Sequence, residues 1–178
     1  MFRPLLANAL FGLALMTGPA LAADVRIGSL TISSAWARAT PPGAPTGGGY
    51  LTIVNHGATP DVLLAAATPD AASTELHSMT MVNGVAQMRA ITDGVPIPAG
   101  GSITFDPNGM HVMFVQLSHQ LEQGGTVPVT LVFKNAGQVT IDMPILAIGS
   151  MGPAGSSGAA MPHLPGNGGM ESSSGASP

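Results

Sequence analysis

The stretch TELHSMTMVNGVAQMRAI, residues 74–91, decides the fold. Its Asn83-Gly84 dipeptide stands between two runs of alternating side chains, an arrangement that is the strongest short signal for a β-hairpin with a two-residue turn. A two-residue turn also fixes the strand register, which sets Met79 opposite Met88. The stretch therefore predicts an antiparallel hairpin with defined cross-strand neighbours.

The same register sorts the side chains of the hairpin onto two faces, because residues two apart on a strand point the same way. One face carries an imidazole and three thioethers, from His77, Met79, Met81 and Met88. The other face carries Leu76, Ser78, Thr80, Val82, Val85, Gln87 and Arg89. Neither face is plainly apolar, so the pattern leaves open which of them covers the core.

Short apolar runs separated by Gly- and Pro-rich turns continue on both sides of the hairpin. With the hairpin included, the runs are 25–38, 49–55, 62–67, 74–82, 85–91, 102–105, 111–117, 127–134 and 139–146. Most of these lengths suit strands better than helices. The chain is therefore predicted to be all-β, an antiparallel Greek-key β-sandwich of roughly seven to nine strands.

The two ends of the 178-residue chain differ from this middle part. Residues 1–22 are interpreted as a secretory signal peptide, with Arg3 before a short apolar run and Ala20-Leu21-Ala22 as the cleavage site. Residues 149–178 contain 19 Gly, Ser or Pro and are expected to form a flexible tail. We predict one domain, residues 23–148, that is exported and has no membrane span once the signal is removed.

Composition excludes several classes of function. The formal net charge is −4 and the 5 Lys and Arg are scattered, so nucleic-acid binding is not expected. The chain has 0 Cys, which rules out disulfides, thiolate zinc sites, Cys-ligated iron–sulfur clusters and blue-copper centres. No nucleophile elbow, phosphate-binding loop or paired-carboxylate segment is present, so the sequence points to a carrier and not to an enzyme.

A second His-x-Met pair, His111 and Met113, accompanies His77 and Met88. Imidazole and thioether together suit Cu(I), a soft ion, because calcium and magnesium require oxygen ligands. Any one of these residues alone is more often an ordinary core or surface residue. Their joint pattern favours a metal site, whereas His56 and His119 are expected to be surface residues.

Two further segments resemble the opening of the periplasmic copper chaperone family PCu(A)C. They are AWARATPPG, residues 35–43, and GYLTIVN, residues 49–55. The ligand motif of that family is also similar, because ten residues separate His77 from Met88 and 22 more precede His111-Val112-Met113. Trp36, within the first segment, is interpreted as a structural anchor.

The resemblance implies a cupredoxin-like sandwich that binds Cu(I) at an exposed site through His77, Met88, His111 and Met113. It also implies delivery of copper to an assembly factor or a subunit of cytochrome c oxidase in the periplasm. Met79 and Met81 offer extra sulfurs beside this site. Two other functions stay open: a copper-resistance or storage protein, and a metal-free adhesive or scaffolding sandwich.

The tail contains further ligand-type residues, namely Met151, Met161, His163 and Met170. A tethered segment has an effective concentration of about millimolar, so a weak ligand in it could cap an exposed ion. Imidazole tolerates Cu(II) better than thioether does, which makes His163 the tail residue expected to act on oxidised copper. An inert linker is the alternative interpretation.

Overall fold

A computed structural model describes residues 23–153. These residues form eleven strands and no helix. The strands are β1 (Val25–Ile27), β2 (Leu30–Arg38), β3 (Thr46–Asn55), β4 (Asp61–Ala67), β5 (Ala71–Val82), β6 (Val85–Ala90), β7 (Val95–Ile97), β8 (Ser102–Phe105), β9 (Met110–Leu117), β10 (Thr126–Phe133) and β11 (Gly137–Leu146). The predicted all-β class is confirmed. Residues 1–22 and most of the predicted tail, with Met161, His163 and Met170, lie outside the described residues.

The strands follow one another across the sheet in the order β6-β5-β9-β8-β3-β2-β11-β10-β4-β7, with β1 beside β2. Most neighbours are antiparallel, as predicted, but β11 pairs with β2 and β8 with β9 in parallel. Two of the eleven strands go beyond the predicted nine. Gly28, with a φ of 55°, lies at the turn that divides the first apolar run into β1 and β2. The other additional strand is β7, which the apolar runs do not predict because Pro96 stands at its centre. A Pro is tolerated there because β7 is an edge strand.

The core is formed by alternate side chains of the two halves of the sheet. Leu51 and Ile53 of β3 and Phe114 of β9 are buried on one side, and Leu131 and Phe133 of β10 on the other. The exposed fraction of these side chains is 3% or less. In residues 23–153, no helix is long and apolar enough to span a membrane.

The β5–β6 hairpin has the predicted register, with Met79 opposite Met88. Asn83 and Gly84 at the turn have φ values of 51° and 79°, the left-handed conformations of a type I′ turn. Leu76 is 4% exposed and belongs to the core, so the face with the imidazole and thioether groups points outward. The outer part of the hairpin extends past the core and is exposed on both faces.

An aromatic pair is buried on this outer side of the sheet. Trp36 and Tyr50 are 3% and 6% exposed, their ring centroids are 4.4 Å apart, and neither belongs to the main core cluster. The guanidinium of Arg38 lies over both rings and donates a hydrogen bond to the carbonyl of Ser150 at 2.6 Å. Trp36 is therefore a buried anchor, but of the outer face and not of the core.

Candidate metal centre

Two histidines stand side by side on the outer face. Antiparallel pairing of β5 and β9 places His77 directly opposite His111. Their ring centroids are 5.6 Å apart and the ring planes meet at 62°. His111 is 8% exposed and the His77 side chain 15%, so both imidazoles lie partly below the surface. This spacing leaves both rings within reach of one ion.

The two methionines lie on either side of this histidine pair. Met113 follows His111 by two residues on β9 and pairs with Glu75. Met88 lies on β6 and pairs with Met79 of β5. Met79 is two residues beyond His77 on the same strand. Diagonal neighbours on adjacent strands are about 7–8 Å apart, a distance that long side chains bridge. The fold therefore brings His77, Met88, His111 and Met113 to one face of three adjacent strands.

Each imidazole has one nitrogen engaged by the protein. Nε2 of His77 is 2.7 Å from Oε2 of Glu75, whereas its Nδ1 is buried and has no hydrogen-bond partner among residues 23–153. Nδ1 of His111 is 3.4 Å from the carbonyl oxygen of Gly109. Histidines that bind metals commonly donate one N–H to the protein and offer the other nitrogen to the ion. An unpartnered buried nitrogen also requires an explanation, and a bound ion supplies one.

The electrostatic surroundings keep His111 in the form that binds metals. Burial lowers the pKa of His111 below its usual value. The hydrogen bond to Gly109 opposes this shift, while the neighbouring His77 adds to it. His111 is therefore neutral at neutral pH, which is the state required of a metal ligand.

The donor set discriminates between metals. No group of three or more His, Cys, Asp or Glu that could hold an ion occurs in residues 23–153. The side chains that the fold sets beside the histidine pair include the thioethers of Met88 and Met113. Imidazole and thioether together fit a soft ion such as Cu(I).

The rim of the site is rich in thioethers. Met88 is 59% exposed and Met81 is 64% exposed, whereas Met79 is only partly exposed. Met79 and Met81 share the outer face with Met88, as the register predicted. These side chains form an accessible methionine surface at one edge of the histidine pair.

An open groove of about 280 Å³ borders the opposite edge of the site. His111 and Met113 line it together with Arg38, Tyr50 and Ile148. Sequence reasoning identified neither Arg38 nor Tyr50 as neighbours of the site, because pairing between β2, β3 and β9 brings them there. The groove places the start of the C-terminal segment beside two of the candidate ligands.

The remaining described histidines are surface residues, as predicted. His56 is exposed and its Nε2 is 3.1 Å from the hydroxyl of Thr31. His119 is exposed and its Nδ1 is 3.0 Å from the hydroxyl of Ser118.

Comparison with known proteins identifies the family of this chain. The model of the family described as "Putative lipoprotein LpqE-like" matches residues 30–145. The "Putative lipoprotein Lxx21020" of Leifsonia xyli subsp. xyli (strain CTCB07) is 30% identical over 114 residues, which cover 64% of this chain and 68% of that protein.

Two solved structures are also similar to this chain. The copper-bound PCuAC domain from PmoF2 is 29% identical, with a TM-score of 0.59, over 70% of this chain and 98% of that one. The Cu(I) form of DR1885 from Deinococcus radiodurans is 29% identical, with a TM-score of 0.54, over 69% of this chain and 80% of that one.

The fold and these relatives define a cupredoxin-like domain of the PCuAC class, which confirms the fold class and the resemblance expected from the sequence. The chain belongs to the LpqE-like family.

Proposed function

We propose that this protein is an exported copper chaperone. One Cu(I) ion is held by His77, Met88, His111 and Met113 and passed on to a copper-accepting protein. The observation that carries the proposal is the His77–His111 pair, 5.6 Å apart and flanked by a methionine on each side. The copper-bound state of the PCuAC relatives supports the choice of metal.

The exposure of the ligands suits a carrier. Met88 is 59% exposed, so an incoming ligand from an acceptor can reach the ion while the histidines still hold it. Thioethers bind Cu(I) without the charge of a thiolate, which favours release by ligand exchange. A copper-site assembly factor or a subunit of cytochrome c oxidase in the periplasm is the acceptor that the family resemblance implies.

Additional ligands extend this proposal. Met79 and Met81 provide auxiliary sulfurs on the same face as Met88. Ile148 lines the groove beside His111 and Met113, so the C-terminal segment leaves the domain close to the site. We include the tail residues Met161, His163 and Met170 as auxiliary ligands, with His163 acting on Cu(II).

Titration of Cu(I) against a competing chelator tests the proposal. The double variant Met88→Leu/Met113→Leu is expected to lose Cu(I) binding and to stay folded, because Leu and Met have similar volumes and such changes usually cost less than about 1.5 kcal/mol each. The matched control is Val85→Leu, a conservative change at an exposed position of the same strand as Met88 that removes no thioether.

The stoichiometry of this titration separates the chaperone from the alternatives. Binding of one Cu(I) that the double variant abolishes supports the carrier. Binding of several ions indicates storage. Unchanged Cu(I) affinity in the double variant contradicts the four-residue site, and a parent protein that binds no Cu(I) leaves the metal-free sandwich.

A further inference from the structure

Glu75 contacts the proposed copper ligand His77, although a carboxylate is itself a poor ligand for Cu(I). Its Oε2 is 2.7 Å from Nε2 of His77, a short hydrogen bond on the exposed face of β5. Cross-strand pairing also sets Glu75 directly opposite Met113. The carboxylate is therefore located between two proposed ligands, but a hard oxygen is a poor match for Cu(I).

We infer that Glu75 is a positioning residue: it accepts the Nε2–H of His77 and so makes Nδ1 the copper-binding atom of that histidine. This inference rests on the proposed function. Its second support is Nδ1 itself, which is buried and has no hydrogen-bond partner within residues 23–153. With the proton held on Nε2 by the carboxylate, the lone pair of the imidazole lies on Nδ1.

The two histidines of the site then bind through different ring nitrogens. Nδ1 of His111 is directed at the carbonyl oxygen of Gly109, at 3.4 Å, and a carbonyl can only accept a hydrogen bond. Its proton is therefore on Nδ1, and Nε2 is free for the ion. His77 offers Nδ1 and His111 offers Nε2, a difference that follows from the two hydrogen-bond partners.

The carboxylate contributes more than orientation. A hydrogen bond from imidazole to a carboxylate raises the basicity of the metal-binding nitrogen. The four proposed donors are neutral, whereas Glu75 brings a carboxylate into contact with one of them. Because the Glu75 side chain is 48% exposed, its loss disturbs this contact and not the core.

Nitrogen-15 NMR of the ring nitrogens, with and without Cu(I), tests the inference in the full-length mature protein. In the loaded protein, Nδ1 of His77 is expected to show the coordination shift, while Nε2 keeps a slowly exchanging proton. Glu75→Ala is expected to lower Cu(I) affinity by about 10- to 100-fold and to expose that proton to rapid exchange. Glu75→Gln, whose amide oxygen still accepts the N–H, is expected to retain part of the affinity.

Glu122→Gln is the matched control, because Glu122 is exposed on the loop before β10. Coordination of His77 through Nε2, or a Glu75→Ala affinity within twofold of the parent protein, would overturn the role of Glu75 while leaving the copper site in place. Absence of any shift at either nitrogen of His77 would instead overturn the proposed copper site, and the inference with it.

Discussion

His77 and His111 are directly opposite each other on two neighbouring strands, with their ring centroids 5.6 Å apart. β5 is flanked by β6 and β9, and β9 also pairs with β3 and β8. Both histidines are therefore held by strands with neighbours on two sides. Met88 lies on the outermost strand and is held less firmly.

This difference predicts that His111 and Met88 affect stability differently. His111→Ala is expected to lose Cu(I) binding and also to lower the free energy of unfolding by about 1–3 kcal/mol, because His111 is 8% exposed. Met88→Ala is expected to lose Cu(I) binding with a change of less than about 0.5 kcal/mol, because Met88 is 59% exposed. Urea unfolding of the metal-free variants measures both. Equal destabilisation would contradict the burial difference.

Substitution of Asp61 is predicted to lower the stability of the fold without changing Cu(I) affinity. Asp61 is 5% exposed, and its carboxylate accepts hydrogen bonds from the backbone N–H groups of Val62, Asn135 and Ala136 at 2.7, 2.9 and 2.9 Å. Asp61→Ala leaves these donors unpaired, so it is expected to lower the free energy of unfolding by about 2–4 kcal/mol. Cu(I) affinity of the folded variant is expected to match the parent. The exposed Asp93→Ala serves as the control.

Gly49 lies between core side chains and the strand that carries His111 and Met113. A Cβ at Gly49 would lie 2.9 Å from the Phe114 ring and 3.1 Å from the sulfur of Met143. Gly49→Ala is therefore expected to cost about 1–3 kcal/mol through overpacking.

Gly49 pairs with Val112, which lies between His111 and Met113. Displacement of β9 by the added methyl group is thus expected to weaken Cu(I) binding as well. Thermal unfolding and Cu(I) titration check the two effects, with Gly149→Ala as control because its Cβ would meet nothing within 4 Å. A variant that binds and unfolds like the parent would show that β3 and β9 tolerate the added carbon.

Removal of the tail is predicted to separate the two oxidation states. Truncation after Pro153 keeps the Arg38–Ser150 hydrogen bond and removes Met161, His163 and Met170. Cu(I) affinity is expected to stay nearly unchanged, because four ligands remain in the domain, whereas Cu(II) affinity falls. Titration of both ions into full-length and truncated protein measures the difference. Equal Cu(II) affinity would make the tail an inert linker.

The sequence predicts the hairpin well because the residues that determine the turn and the register are close together along the chain. Asn83-Gly84 favours a turn of fixed length, and the register of β5 and β6 follows from that length alone. The outward direction of the methionine face could not be predicted. It depends on a single buried neighbour, Leu76, and on how far the hairpin extends past the rest of the sandwich.

The position of Trp36 escaped prediction for a related reason. The pairing of β2 with β3 shifts between Ser33 and Trp36, where Ser34 has a φ of 50°. A bulge of this kind reverses which side chains face inward, so Ile32 and Ala37 are buried in the core and Trp36 turns outward. Alternation counted along the sequence does not reveal where such a shift occurs.

The edge position of β6 has a consequence for the lifetime of a bound ion. Within residues 23–153, β6 pairs with β5 alone, and short edge hairpins open at a lower free energy than core strands. Fraying of this hairpin withdraws Met88 while His77, His111 and Met113 stay in place on β5 and β9. At the proposed site, the residence time of copper is thus expected to depend on a local opening equilibrium and not on global unfolding. Substitutions that strengthen the core are expected to leave that residence time unchanged, whereas a second hydrogen-bonded neighbour for β6 is expected to lengthen it.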